Sequence, residues 1–74
     1  MKDRDYLVQC GARLRRRRQD LGLTLATVAT ALDVSQSAVS QWERGKAEPT
    51  ATKRPKLARL LKVPSFSAVY EGME

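Results

Sequence analysis

The chain has 74 residues, 14 of them basic and 8 acidic, and its net charge of +6 suits a polyanionic partner, with nucleic acid ahead of an acidic membrane surface. One cysteine rules out an internal disulfide, and this length allows a single small domain over residues 1–74. Because the chain has no histidine and only scattered carboxylates, it offers no catalytic triad and no zinc set. We therefore expect neither an enzyme nor a cofactor or metal site.

The first predicted helix spans about residues 5–21 and carries an apolar stripe that one charge interrupts. Cys10 and Leu14 recur at helical spacing, and the next position on the same stripe is Arg18. A charge on an apolar face is costly unless an opposite charge pairs with it. Gly22 follows as a C-terminal cap.

The second predicted helix spans residues 25–32, with Thr24 as its N-cap. Its inner face contains Val28 and Leu32, and its many small residues permit the close approach of another helix. Asp33 follows, a residue that tolerates the left-handed conformation of a tight turn.

The third predicted helix spans about residues 36–44, from the N-cap Ser35 to a termination at Gly45. Val39 and Trp42 occupy its inward positions. Spacing places Trp42 in the core rather than on a base-stacking surface.

Glu43 lies one turn after Val39, so it also falls on the inner side of the third helix. It is the carboxylate that Arg18 of the first helix requires. The two stripes therefore predict a partly buried Arg18–Glu43 ion pair that joins the first and third helices. Arginine does not titrate in the useful range, so this pair is structural rather than an acid–base couple.

Two further helices are predicted, at about residues 52–62 and 66–71, the first with Pro55 in its opening turn and the second capped by Ser65. Their apolar positions include Leu57, Leu60, Leu61, Phe66, Val69 and Tyr70. The whole pattern predicts an all-α, compact five-helix bundle. Its second and third helices, joined by a tight turn, form a helix-turn-helix.

The residues around this turn resemble the Cro/lambda-repressor class of helix-turn-helix DNA-binding proteins, also called the XRE family, and especially short lambdoid phage repressors. The resemblance covers about residues 11–72. It is carried by Leu14–Arg18, Leu23-Thr24, Val28-Ala29, Leu32, Val34-Ser35, Val39-Ser-Gln-Trp-Glu-Arg-Gly45, Glu48-Pro49 and Leu57-Ala58. It implies a lambda-repressor-like bundle whose third helix enters the DNA major groove.

The resemblance also implies which side chains contact DNA. The base-contacting positions are Gln36, Ser37, Ser40 and Gln41. The periodicity agrees, because these residues lie away from Val39 and Trp42, and glutamine can bond adenine bidentately. The phosphate-contacting positions are Ser35, Arg44, Lys46, Lys53 and Arg54, joined by Arg17 from the arginine run.

Three positions depart from the family pattern. Leu25 stands where glutamine is frequent and touches phosphate, Asp33 stands where glycine is frequent in the turn, and Pro55 replaces a usually apolar residue. The first departure puts that phosphate contact in doubt, and the third predicts a shifted or shortened fourth helix.

The function that this resemblance implies is a bacterial or phage transcriptional regulator, a repressor that binds a pseudo-palindromic operator in double-stranded DNA. We expect a cytoplasmic, nucleoid-associated protein with no membrane span and no small-molecule substrate. A weak or DNA-assisted homodimer would form through the exposed side of the fifth helix and a residue shortly after its end. Those interface residues are Phe66, Val69, Tyr70 and Met73.

Two alternatives stay open at this point. The first is an antitoxin-type protein that also binds a toxin, and the second is a protein-interaction module on the same bundle that has lost its affinity for DNA. The chain could equally be a complete Cro-like protein or the N-terminal domain of a longer one.

Overall fold

The structure, a computed structural model, describes residues 4–72. This part of the chain forms five helices and no strand: α1 (Arg4–Asp20), α2 (Leu25–Leu32), α3 (Gln36–Glu43), α4 (Arg54–Leu60) and α5 (Phe66–Tyr70). The predicted all-α fold class is confirmed. Of the helices in this range, none combines the length and apolar character needed to cross a lipid bilayer.

Side-chain caps set the start of both helices of the helix-turn-helix. The Thr24 hydroxyl accepts a hydrogen bond from the Thr27 amide at 3.1 Å, and the Ser35 hydroxyl accepts one from the Ala38 amide at 3.0 Å. Between them, Asp33 adopts a left-handed conformation with φ 57° and ψ 48°. Both caps and the turn residue are as predicted. Because they depend on short-range contacts, local sequence identifies them.

Helix α4 is shorter than the predicted span of residues 52–62. Residues 51–53 form turns, so the helix begins at Arg54. Pro55 lies in its first turn, where proline is tolerated because a backbone N–H there would have no intrahelical partner. At the other end Lys62 takes a left-handed φ of 58°, and Val63 donates its amide to the Ala58 carbonyl at 3.1 Å. These contacts end the helix at Leu60. The bounds of α1 differ from the predicted ones by one residue at each end, and those of α3 and α5 by one residue at the C-terminal end.

The core lies where all five helices meet. The buried hydrophobic side chains are Cys10, Leu14, Val28, Ala29, Leu32, Val39, Trp42, Leu57, Ala58, Leu61, Val69 and Tyr70. Trp42 is among them, so its predicted core position is correct. Cys10 is fully buried as a small hydrophobic residue.

Two of the four residues predicted for the dimer surface on α5 are buried within the bundle. Val69 and Tyr70 are 7% and 1% exposed, because α5 docks on α1 and α4 and turns these side chains into its own core. Phe66 is half-buried and stacks on Tyr70, with ring centroids 4.6 Å apart. Met73 lies outside the described residues. The side of α5 that carries Val69 and Tyr70 is therefore not available to a partner.

Candidate nucleic-acid interface

Helix α3 is held by its inner side and presents an uncharged polar outer side. Val39 and Trp42 are buried in the core, which fixes the rotation of the helix about its axis. Gln36, Ser37 and Gln41 are exposed and make no side-chain hydrogen bond with any residue in 4–72. We call these three residues the recognition face. Their amide and hydroxyl groups can both donate and accept hydrogen bonds, which is what the edges of base pairs require.

Ser40, predicted to contact bases with this face, is less exposed than its three members. It lies about 100° around the α3 axis from Val39, whereas Ser37 and Gln41 lie about 160° from it. The structure accordingly leaves Ser40 half-buried, on the flank of α3 that faces α1. Gln36 lies about 60° from Val39 on the same side as Ser40. Ser40 therefore differs from the other three predicted base contacts in its exposure and not in its direction around the helix axis.

Three of the predicted phosphate-contacting cations are free to bind an anion. Arg44 and Lys46 are exposed just after α3, and Lys53 is half-buried just before α4. None of the three makes an ion pair or a side-chain hydrogen bond with another described residue. Ser35 is exposed at the α3 N-cap, where its hydroxyl already accepts from Ala38.

Arg54 was predicted to contact phosphate, but the structure uses it to support the loop before α4. Its Nε donates to the Pro49 carbonyl at 2.9 Å, and its guanidinium lies 5.1 Å from the centre of the Phe66 ring. An Nη atom is also 3.9 Å from a Glu48 carboxylate oxygen. With its charge partly paired and its donors directed inward, Arg54 is a structural residue.

Arg17 also differs from its predicted role. Its Nε donates to the Leu61 carbonyl at 2.9 Å and its Nη2 to the Lys62 carbonyl at 3.3 Å. Arg13 similarly donates to the Tyr70 carbonyl at 3.2 Å. Carbonyls at helix C-termini lack intrahelical partners and carry partial negative charge, so two α1 arginines cap α4 and α5. Sequence spacing held no signal for these caps, because each pairing joins residues at least 44 positions apart.

The Arg18 and Glu43 side chains meet between α1 and α3. Arg18 Nε and Nη2 donate to the two Glu43 carboxylate oxygens at 2.6 and 3.0 Å, and Nη1 donates to the Leu23 carbonyl at 2.8 Å. Only 12% and 8% of the two side chains are exposed. The hydrogen bonds to Glu43 raise the pKa of Arg18, so its guanidinium stays charged at every physiological pH. The pair locks the end of α3 to α1.

Comparison with known proteins identifies the same architecture. The helix-turn-helix family profile HTH_3 matches residues 14–66. The HTH-type transcriptional regulator DicA of Escherichia coli (strain K12) is 45% identical over 51 residues, 69% of this chain and 38% of that protein. The chain therefore spans well under half the length of this curated relative.

Two solved structures superpose closely. The P22 c2 repressor, crystallised in complex with synthetic operator 9T, has a TM-score of 0.79 and 33% identity, covering 86% of this chain and 96% of that chain. The clp gene regulator ClgR from Corynebacterium glutamicum has a TM-score of 0.76 and 33% identity, covering 86% of this chain and 67% of that chain. The matched residues include the capped α2 and α3 and the turn between them. The resemblance predicted from sequence is thus confirmed, and the chain belongs to the helix-turn-helix family HTH_3.

Proposed function

We propose that this chain, acting as a single domain, is a sequence-specific DNA-binding transcriptional regulator that reads the major groove with its recognition face. The observation that carries the proposal is the state of Gln36, Ser37 and Gln41. They are exposed, unpaired within residues 4–72 and mounted on a helix whose rotation the core fixes. A rigid helix bearing hydrogen-bonding side chains can discriminate base pairs at about 1–3 kcal/mol per good bidentate contact.

The DNA backbone is contacted on either side of the recognition face. Ser35 at the start of α3, and Arg44, Lys46 and Lys53 after it, supply phosphate contacts that position α3 without reading sequence. Arg17 and Arg54 are left out of this set, since their guanidinium groups serve the bundle itself. The P22 c2 repressor, solved with an operator, supports the assignment because 86% of this chain aligns with it.

The proposal includes a homodimer on a pseudo-palindromic operator, with half-sites about 34 Å apart. Because Val69 and Tyr70 are buried, we place the dimer contact in a depression of about 470 Å³ between α4 and α5. Pro55, Pro64 and Phe66 contribute its apolar lining. Such a small contact is weak alone, and two linked half-sites strengthen it. We place the regulator on nucleoid DNA in the cytoplasm, where it represses by covering a promoter. Sedimentation of the operator complex tests the dimer: two chains per operator support it, and one chain contradicts it.

The test of the function is a selection of random duplex DNA by the purified chain at about 0.15 M salt, a physiological ionic strength. It is repeated with Gln36→Ala and Gln41→Ala. We expect a two-fold-symmetric motif whose preference relaxes at one position per half-site in each variant. Retention that depends on salt but enriches no motif would contradict sequence-specific recognition. The protein-partner alternative would then be preferred.

A further inference from the structure

A depression lies between α1 and the segment that leads from α4 into α5. Its volume is about 420 Å³. Val63, Pro64 and Ala68 give it an apolar lining that is only partly covered by the rest of the bundle. We call it the α1–α5 depression. Its charged lining residues are Arg13, Arg16, Arg17, Asp20 and Lys62.

The α1–α5 depression is on the side of α1 that faces away from α3. Gly11 and Arg18, which contact α3, lie within about 20° of each other around the α1 axis. Arg16 lies about 160° from Arg18 around the same axis, and Arg13 lies about 140° from it in the opposite sense. Helix α1 therefore separates the depression from the helix that carries the recognition face.

The α1–α5 depression has an excess of positive charge, because one carboxylate and four cations line it among the described residues. Arg16 and Lys62 are exposed, and neither side chain makes an ion pair or a hydrogen bond with a residue in 4–72. Asp20 is exposed as well and pairs with neither of them. Arg13 and Arg17 cap α5 and α4 with some of their N–H donors, so they hold the two walls together.

This combination of free cations and apolar lining suits an acidic protein segment that also carries an apolar side chain. Carboxylates pair with guanidinium and ammonium groups, and an apolar side chain leaves water against Val63 and Ala68. DNA phosphates would use the cations and leave the apolar lining uncovered. A two-fold contact with a second copy would bring Arg16 and Lys62 close to the same residues of the partner, and like charges repel.

We propose that the α1–α5 depression is a docking surface for an acidic, partly apolar segment of a second protein. Arg16 and Lys62 pair with its carboxylates, and the apolar lining contacts its apolar residue. Because α1 lies between this surface and α3, the chain can hold the partner and operator DNA at the same time. The docking surface stands without the proposed function, whereas simultaneous DNA binding rests on it.

The first experiment selects random peptides displayed on phage with the immobilised chain, at about 0.15 M salt. We expect the enriched peptides to combine aspartate or glutamate with a leucine or an aromatic residue. One enriched peptide is then synthesised, and calorimetry gives its dissociation constant. A selection that enriches no sequence of this kind overturns the proposal.

Charge reversals then locate the bound peptide. Arg16→Glu and Lys62→Glu should each weaken its binding about tenfold, because an attraction becomes a repulsion. Arg15→Glu and Arg59→Glu are matched controls, since both are exposed arginines, one on the α3 side of α1 and one in the depression between α4 and α5. The second control is needed because Val63 and Pro64 line both depressions. Equal weakening in all four variants would show a general attraction of charge and overturn the docking surface.

A charge exchange tests the pairing directly. A peptide with lysine in place of one of its acidic residues should bind the wild type weakly and recover affinity for Arg16→Glu or for Lys62→Glu. Thermal unfolding of each variant establishes that it is folded. Failure of every lysine-substituted peptide to recover binding to either folded variant contradicts the proposed ion pairs.

The last measurement repeats the peptide titration with the chain bound to its selected operator. We expect the same dissociation constant as without DNA. Displacement of the peptide by DNA would show that nucleic acid occupies the depression and would contradict the proposal. If the wild type enriches no DNA motif, the proposed function fails, yet the peptide titrations without DNA still decide whether the docking surface exists.

Discussion

The Arg18 guanidinium has three hydrogen bonds to protein acceptors, two to Glu43 and one to the Leu23 carbonyl, in a site that excludes most water. A buried ion pair adds little net stability compared with apolar residues, because desolvating both charges offsets their attraction. Removing one partner is a different matter, since the other charge stays buried and uncompensated. The pair therefore constrains how α1 and α3 meet more than it strengthens the fold.

Replacing Glu43 with alanine should lower the free energy of unfolding by about 3 kcal/mol, because Arg18 keeps only the Leu23 carbonyl as a partner. Urea denaturation of the two proteins measures the difference. Glu43→Gln is the matched control, since its amide oxygen still accepts one hydrogen bond and its loss should be smaller. A loss below about half a kcal/mol for Glu43→Ala would show that Arg18 escapes to solvent.

Tyr70 combines deep burial with an unsatisfied group. It is 1% exposed, and its hydroxyl has no hydrogen-bond partner within the described residues. Burial first, and the nearby Glu48 carboxylate second, raise the pKa of Tyr70 to about 12. The fold therefore favours the neutral phenol over the phenolate.

Replacing Tyr70 with phenylalanine should raise the free energy of unfolding by about 1 kcal/mol near neutral pH, since the ring remains and the unpaired hydroxyl is removed. The difference should also depend on pH. The unfolded chain releases the phenol proton near pH 10, but the folded chain holds it to about pH 12, so wild-type stability falls across that range. Urea denaturation at pH 8 and pH 11 should show the advantage of phenylalanine widening. A constant difference, or a less stable Tyr70→Phe, would contradict the burial argument.

At the level of helices, α1 and α3 approach so closely at Gly11 that no side chain fits between them. A Cβ atom at Gly11 would lie closer than 3.0 Å to the backbone carbonyls of Trp42 and Glu43. The constraint is steric, because Gly11 lies in the interior of a regular helix and has no unusual φ angle. Gly22 presents the opposite case, with a φ of 70° and open space around it.

Replacing Gly11 with alanine should lower the free energy of unfolding by about 3 kcal/mol and displace α3, because both obstructing atoms are backbone. Gly22→Ala is the control, and its cost should be about 1 kcal/mol from the left-handed conformation alone. Thermal unfolding and operator affinity are measured for both. We expect operator affinity to fall for the folded Gly11→Ala chain and to stay unchanged for Gly22→Ala. Unchanged affinity in both variants would mean that α3 tolerates the shift.

Across the whole molecule, the basic residues divide between the bundle and its surface. Arg13, Arg17 and Arg54 donate hydrogen bonds to backbone carbonyls. Arg44 and Lys46, by contrast, are exposed and unpaired among the described residues. The net charge of +6 therefore includes guanidinium groups whose hydrogen-bond donors are directed into the bundle. Under the proposed function, the free cations around the uncharged recognition face set the affinity for DNA, and Gln41 and its neighbours set the sequence specificity.

These two roles predict different effects on DNA binding when Arg44 and Gln41 are replaced. Arg44→Gln should weaken binding to all duplexes alike and reduce the salt slope by about 0.9, whereas Gln41→Ala should leave the slope and mainly relax preference at one base pair. Binding titrations on the operator, on single-base variants and on an unrelated duplex compare them. Equal losses that ignore sequence in both variants would contradict the recognition face.

The sequence by itself determined that there are five helices within the described residues, the caps of α2 and α3, and three of the four outward-facing residues predicted on α3. Apolar periodicity and capping act over three or four residues, so Thr24, Asp33 and Ser35 could be assigned without knowing the fold. The proximity of Arg18 and Glu43 also followed, because a charge on each of two apolar stripes needs an opposite charge nearby.

Only the tertiary structure decided which arginines serve the bundle, that Val69 and Tyr70 belong to the core, and that Ser40 faces α1. Arg17 and its carbonyl acceptor are 44 residues apart, and no periodicity links a side chain to a distant helix end. An amphipathic helix such as α5 has the same pattern whether its apolar side meets its own bundle or a second chain. The choice depends on how the five helices pack, which is a property of their shapes together and not of any one segment.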